Sequence, residues 1–255
     1  MTYCIGLLLD EGLVMMSDTR TNAGVYNFST YNKMHRLALA EDRVIYAATA
    51  GSLSTSQAAI ALLEEGLPAT DESQMPRTLA AAPTMFRAAQ LVGEAVQITS
   101  RQVATALAGS GVGSAVSILL GGRIGQHPPA LYLVYSAGNF IECKKEAPFF
   151  QIGETKYGKP ILDRNITATT SLDDAVKIGF LSFDSAIRSN LGVARPIDLM
   201  IMPTDRSQPI ITRRIEQTDE YFDHLSREWG RMLHEAVHSI PNPPFLHGRL
   251  QEAAE

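Results

Sequence analysis

Positions 3–9 and 13–18 are mostly apolar, with Ser17 and Asp18 the polar exceptions, and are separated by Asp10-Glu11-Gly12. Two short apolar runs around an acidic turn ending in glycine predict two strands joined as a hairpin. Residues 43–50 predict a further strand. The period then changes. Ser54 or Ser56 can cap a helix through Leu63 that Gly66 and Pro68 end, and Met85, Ala89, Val92 and Val96 carry the spacing of a second, longer helix. Residues 115–121, 130–136 and 148–152 return to strand character, punctuated by His127-Pro128-Pro129 and Gly138-Asn139. Ser171-Leu172-Asp173-Asp174 forms a capping box before a helix whose Val176, Phe180, Phe183 and Ile187 share one face and which Gly192 stops. Strands near 197–203 and 209–214 and a helix over about 219–238 complete the pattern.

Strands, a helix pair, strands, a helix, strands and a last helix predict an α/β (α+β) fold. Two stacked sheets covered by helices on both outer faces give a four-layer αββα sandwich. No internal repeat or linker interrupts residues 1–240, which are expected to form a single domain; residues 241–255, with Pro241, Pro243 and Pro244, are expected to be a C-terminal tail.

The bulk composition narrows the functions available. With 255 residues and 45% apolar content the chain can bury a full-sized core. A net charge of −5 without clustered Lys or Arg argues against nucleic-acid and anionic-membrane partners, which demand such clusters. Cys4 and Cys143 fit no metal spacing and read as reduced core thiols, which favours the cytoplasm. The N-terminal apolar run lacks a basic leader and ends at Asp10, short of a signal-peptide core, and no other run approaches a membrane span, so neither export nor embedding is expected.

The hairpin itself suggests chemistry. If Asp10-Glu11-Gly12 closes it, cross-strand partners sum to about 22, which brings Thr2 opposite the neighbourhood of Arg20 and diagonally near Asp18. Removal of Met1, which a small second residue permits, would leave Thr2 with a free α-amine beside its own hydroxyl. Such an amine titrates at about 7.7–8.0, close to what a general base needs, and a nearby cation lowers it further. Lys33 is a candidate for that cation, and a threonine activated by its own amine is a recognised nucleophile. From spacing alone the plain readings stay open: an ordinary second-position threonine, a turn aspartate and a solvated lysine.

Thr2, Ser17-Asp18-Thr19-Arg20 with Gly24 after it, Lys33 and Ala50-Gly51-Ser52 occur in an order that resembles proteasome β-type subunits, the N-terminal-nucleophile hydrolases. Phe150-Gln151-Ile152-Gly153-Glu154, residues 171–191 and the strand at 197–202 extend the resemblance over most of the chain, and it is nearest to Anbu, the bacterial proteasome-related peptidases. The resemblance implies a threonine-type peptidase or amide hydrolase without cofactor or metal. It makes Thr2 the nucleophile, Asp18 the holder of Lys33, Lys33 the group that tunes the amine and hydroxyl, and the Gly51 N–H the oxyanion donor. Asn22 and Thr49 match positions lining the substrate groove. It also implies a peptide or protein substrate and a homo-oligomer larger than a dimer, closed or spiral, with no partner ATPase specified. Two departures stand out: Gly153-Glu154-Thr155 replaces a Gly-Ser-Gly turn, and Arg188-Ser189-Asn190-Leu191-Gly192 replaces an Arg-Asp pair with a following Ser-Gly. They point to narrow or weak activity, with Glu154 or Ser189 as candidate supports for the terminus. The alternative in the same family is a catalytically silent assembly subunit.

His234-Glu235-Ala236-Val237-His238 fits the H-E-x-x-H pattern of zinc peptidases. At about 100° per residue, however, both histidines fall opposite the apolar stripe of Leu225, Trp229, Met232 and Ala236, and neither His247 nor Glu252 supplies a third ligand at a suitable spacing. Gly109 to Ser114 has a phosphate-loop flavour with no lysine after it and reads as a flexible loop. Cys4 reads as a packed thiol and His35 as a surface strand residue.

Overall fold

The N-terminal hairpin forms as β1 (Tyr3–Leu9) and β2 (Gly12–Asp18) in a computed structural model that describes residues 2–22, 28–69 and 75–246. Its turn is only Asp10-Glu11, because Gly12 already pairs with Leu9, and the ladder runs to Cys4 opposite Ser17. The register is therefore one residue tighter than a three-residue turn gives, and the backbone N–H of Tyr3, rather than any group of Thr2, donates to Asp18 Oδ1 at 2.9 Å. A two-stranded ribbon, β3 (Arg20–Asn22) and β4 (Phe28–Thr30), leaves the end of β2. Next come β5 (Met34–Ala40) and β6 (Arg43–Gly51), then α1 (Leu53–Glu65) and α2 (Met85–Ala106). The remainder is β7 (Val116–Ile124), β8 (Ala130–Val134), β9 (Phe140–Glu142), β10 (Phe149–Gly153), α3 (Lys159–Asn165), α4 (Leu172–Ser189), β11 (Ile197–Pro203), β12 (Ile211–Ile215) and α5 (Glu220–Ser239).

Several elements differ from expectation for local reasons. Ser52, not Ser54 or Ser56, caps α1 by accepting from the Thr55 N–H, while the Ser56 hydroxyl folds back onto the Ser52 carbonyl at 2.8 Å. The sequence of β5 hides its strand character because the ladder shifts register between Arg36 and Ala38, and such a bulge breaks the period of two. The three residues of β9 and the seven of α3 are too few to establish a period.

Two antiparallel five-stranded sheets result, β10-β1-β2-β11-β12 and β5-β6-β7-β8-β9. Between them lies one apolar core, in which Cys4, Leu13, Met15 and Met200 of the first sheet meet Tyr46, Ala48, Leu119 and Leu131 of the second. A second core forms where Ile45, Ala47, Ile118 and Leu120 of the other face pack under Ala59, Leu63, Ala89, Val92 and Val96 of α1 and α2. On the far side of the first sheet α4 covers β1 and β2, with the Tyr3 and Phe183 rings 4.6 Å apart between centroids. These are the four layers of an αββα sandwich. Because the first sheet is covered on both faces, β1 and β2 need apolar residues at successive positions, which explains the apolar runs that open the sequence.

The chain divides into two compact units, Met1–Gln217 and Thr218–Glu255. All the strands and α1 to α4 belong to the first. In the second, Asp219 caps α5 by accepting from the Phe222 N–H at 2.8 Å, and the helix is exposed from Arg231 onward. Among the described residues no helix is long and apolar enough to cross a membrane. Met1, Gly24, His247 and Glu252 lie outside the described residues.

Candidate active site

Thr2 stands directly ahead of β1 and is 9% exposed. Two backbone contacts fix its peptide group. Tyr3 pairs with Gly153 of β10, and the next residue, Glu154, donates its N–H to the Thr2 carbonyl at 2.6 Å. Gly153 makes this possible with φ +82°, a conformation side chains disfavour, and a Cβ there would collide with the Thr2 carbonyl. On the other side the Tyr3 N–H reaches Asp18.

Asp18 ends β2 and is fully buried. Its Oδ1 accepts from both the Tyr3 N–H and Lys33 Nζ, the latter at 2.6 Å, so one carboxylate oxygen ties the backbone beside Thr2 to the lysine. Burial raises Asp18 above the usual carboxylate range, opposed by the charge and hydrogen bond of Lys33 and by the Tyr3 N–H. Its Oδ2 is buried with no hydrogen-bond partner among the described residues, which adds to that burial penalty. Lys33 is 5% exposed and gives a second hydrogen bond to the Arg20 carbonyl at 2.5 Å. The segment carrying it is held at both ends: the Tyr31 N–H donates to the Thr19 carbonyl at 2.7 Å, and the Thr49 N–H to the Lys33 carbonyl at 3.0 Å.

Thr49 and Gly51 close β6. Successive N–H groups of a strand alternate sides, so Gly51 aims its N–H the same way as Thr49, toward the chain ahead of Lys33, where β5 has not yet begun. Gly51 has φ +110°, and a Cβ there would strike the Ala115 carbonyl, so only glycine fits. Thr49 is buried and shares the parity of Ile45 and Ala47, the residues that pack under α1 and α2. Asn22 pairs with Phe28 in the ribbon; its side chain lies outside the described part.

Of the two departures, Glu154 is 4% exposed and Ser189 is exposed. Arg188 turns to Asp184 at 2.9 Å. The partner of Glu154 is Asn190, whose Nδ2 donates to Glu154 Oε2 at 2.7 Å while its Oδ1 accepts from the Gly192 N–H at 2.9 Å. Burial opposes ionisation of Glu154, but the Lys156 N–H, Asn190 and the Tyr157 N–H together outweigh it and hold the carboxyl below its ordinary value. Asn190, the Tyr3 N–H and the Arg20 carbonyl are the members that sequence reasoning missed. Two of the three are backbone groups that any residue type supplies, and asparagine after a helix reads only as a cap.

The other candidates fall elsewhere. Burial, then Asp18, push the Cys4 thiol up, and its Sγ sits 3.7 Å from the Thr49 carbonyl, as expected of a packed thiol. His35 is half-buried on β5, and burial lowers it. Gly109 to Gly113 are exposed between α2 and β7. On α5, Leu225 and Trp229 are half-buried but Met232 is 50% exposed. His234 and His238 are exposed with ring centroids 4.4 Å apart, and Glu235 pairs with Arg231 at 2.6 Å. Among the described residues no three His, Cys, Asp or Glu side chains are grouped to hold a metal ion.

Solved structures resemble the chain over nearly its whole length. Anbu (ancestral beta-subunit) from Yersinia bercovieri is 36% identical, with 95% of this chain and 99% of that one covered and a TM-score of 0.83. An Anbu (Gly-1) mutant from Hyphomicrobium sp. strain MC1 is 40% identical, with 95% and 99% covered and a TM-score of 0.84. The helical assembly of the Anbu complex from Pseudomonas aeruginosa is 39% identical, with 95% and 98% covered and a TM-score of 0.87. No protein-family model matches the sequence, and no curated protein does.

Proposed function

The chain belongs to the Anbu family of proteasome-like proteins, and from that premise we propose that it is an N-terminal-threonine peptidase or amide hydrolase in which mature Thr2, freed of Met1, is the nucleophile. The observation that carries this reading is the buried Asp18–Lys33 ion pair at 2.6 Å, bonded to the backbone next to Thr2. A buried ion pair is a poor source of stability, because desolvation cancels most of its attraction. Its presence beside a buried threonine is what a nucleophile needs.

In this reading the neutral Thr2 amine takes the proton of its own hydroxyl as Oγ attacks the scissile carbonyl. The cation of Lys33, held by Asp18, disfavours the protonated amine and so keeps the base available at neutral pH. Charge developing on the carbonyl oxygen is met by the Gly51 N–H. As the intermediate collapses, the amine passes its proton to the leaving nitrogen and the C–N bond breaks, leaving an ester on Thr2. Water, deprotonated by the same amine, hydrolyses that ester and restores the hydroxyl. The substrate is a peptide or protein, and it is the resemblance to proteasome β-type subunits that assigns the Thr49 and Asn22 positions to its groove. The active form is a homo-oligomer larger than a dimer, working in the cytoplasm; a solved relative, described as a helical assembly, supports the oligomer.

The test needs no substrate. Intact mass of native protein is expected to be low by one methionine, and a β-lactone or peptide epoxyketone is expected to add once per chain, at Thr2, with Thr2→Ala abolishing the adduct while the oligomer persists. Retained Met1 on native protein refutes the mechanism, and a free Thr2 that takes no adduct supports a silent assembly subunit instead.

A further inference from the structure

The hydrogen bonds around Thr2 close into a circuit. The Thr2 carbonyl accepts from the Glu154 N–H at 2.6 Å, and Glu154 Oε2 accepts from Asn190 at 2.7 Å. The adjacent Leu191 carbonyl accepts from Arg20 Nη1 at 2.9 Å, and the Arg20 carbonyl accepts from Lys33 Nζ at 2.5 Å. Lys33 then bonds Asp18, and Asp18 accepts from the Tyr3 N–H, one peptide from Thr2. The Asp18–Lys33 half of this circuit is the chemistry already assigned. The other half runs through the short segment after α4, which bonds both Glu154, just past β10, and Arg20 of β3, and its one buried side-chain charge is Glu154. We infer that Glu154 is a positioning residue for the Thr2 nucleophile, latched by Asn190 so that its backbone N–H holds the Thr2 peptide in register with Lys33.

The chemistry of the latch demands a carboxylate. Glu154 Oε1 accepts from the Lys156 N–H at 2.7 Å and Oε2 from Asn190 Nδ2, so both oxygens face donors. An ionised carboxylate is acceptor-only and meets both; a glutamine would put its own N–H₂ against one of them. Asn190 cannot flip to compensate, because its Oδ1 is committed to the Gly192 N–H. Glu154→Gln is therefore a frustrated latch at nearly constant volume. Adding Asn190→Asp repairs it: the Gln Nε2 can donate to one aspartate oxygen while the other still accepts from Gly192, and the pair keeps a charge of minus one.

This inference rests on Thr2 being the nucleophile, and one experiment separates the two. A threonine-directed β-lactone is titrated against the wild-type chain, Glu154→Gln and the Glu154→Gln/Asn190→Asp pair, reading the maximal inactivation rate apart from the half-saturating concentration. Hydrogen exchange of the Glu154 amide is followed in parallel. For Glu154→Gln the maximal rate is expected to fall about 10- to 100-fold, the effect of misplacing a reacting group by a fraction of an ångström to one ångström, with half-saturation unchanged and faster exchange. The pair is expected to regain both. Should Glu154→Gln fail to fold, Asn190→Ala, which leaves the carboxylate in place and removes its Nδ2 donor along with the acceptor of the Gly192 N–H, is expected to show the same split. A Glu154→Gln chain that reacts at the wild-type rate overturns the positioning role alone. So does a double variant that regains exchange protection without regaining rate. A wild-type chain with free Thr2 and no adduct overturns the proposed function instead.

Discussion

Lys33→Ala puts a number on the buried pair. The side chain is 5% exposed, and its loss leaves Asp18, which is fully buried, with the Tyr3 N–H as its one remaining partner among the described residues. Removing one member of such a pair costs about 3–5 kcal/mol, against a total stability of about 5–15 kcal/mol. The penalty must depend on pH, because Asp18 can escape it by taking up a proton. Burial already raises its folded value above the unfolded 3.8 while Lys33 pulls the other way, so deletion of Lys33 raises it further. A carboxyl with a raised folded value binds its proton more tightly folded than unfolded. Its contribution to stability is greatest below the unfolded value and is lost as pH rises through the folded one, at up to ~1.4 kcal/mol per pH unit. Urea unfolding at fixed protein concentration is expected to show a small penalty near pH 5 and several kcal/mol at pH 8. Asp18→Asn added to Lys33→Ala is expected to restore much of the stability at pH 8 without restoring Thr2 labelling, which separates folding from catalysis. A penalty below about 1 kcal/mol, or one equal at both pH values, would show that the pair is not buried and coupled as described.

Gly153→Ala forces a Cβ onto the Thr2 carbonyl from a positive-φ position, so a loss of more than about 1 kcal/mol in stability and slower β-lactone addition are expected; unchanged melting and labelling would refute that contact. A chelator, or His234→Ala with His238→Ala, is expected to leave Thr2 labelling untouched; loss of hydrolysis on chelation with recovery on added zinc would restore the metal reading. Tyr3, pushed up by burial to about 12 despite its hydrogen bonds with Ser182 and Gln151, is expected to resist ionisation in an ultraviolet titration of the native chain until near that pH, and early titration would mean the β1–α4 seam is open.

The sequence by itself determined most of the elements and pointed to the candidate side chains of the site. Apolar runs at 3–9 and 13–18, the Ser171 cap and the Phe180 and Phe183 face are local signals, because strand and helix periods and caps act over a few residues. The layer order followed from which elements had to cover which apolar faces. Thr2 and Asp18 could be picked out because one hairpin brings a terminal hydroxyl near an acid, and Lys33 as a candidate cation shortly after them in the chain. Register lay beyond that reach: whether Gly12 pairs with Leu9 moved the contact with Asp18 from the neighbourhood of Thr2 to the N–H of Tyr3. So did every partner supplied by backbone. Nothing in the identity of Arg20 says that its carbonyl takes the lysine, and nothing in Asn190 says that it meets Glu154 from 36 residues away. Those contacts exist only once β10, α4 and β3 converge on one end of the first sheet, because carbonyls and N–H groups are common to almost all residues and only the folded backbone decides which of them meet.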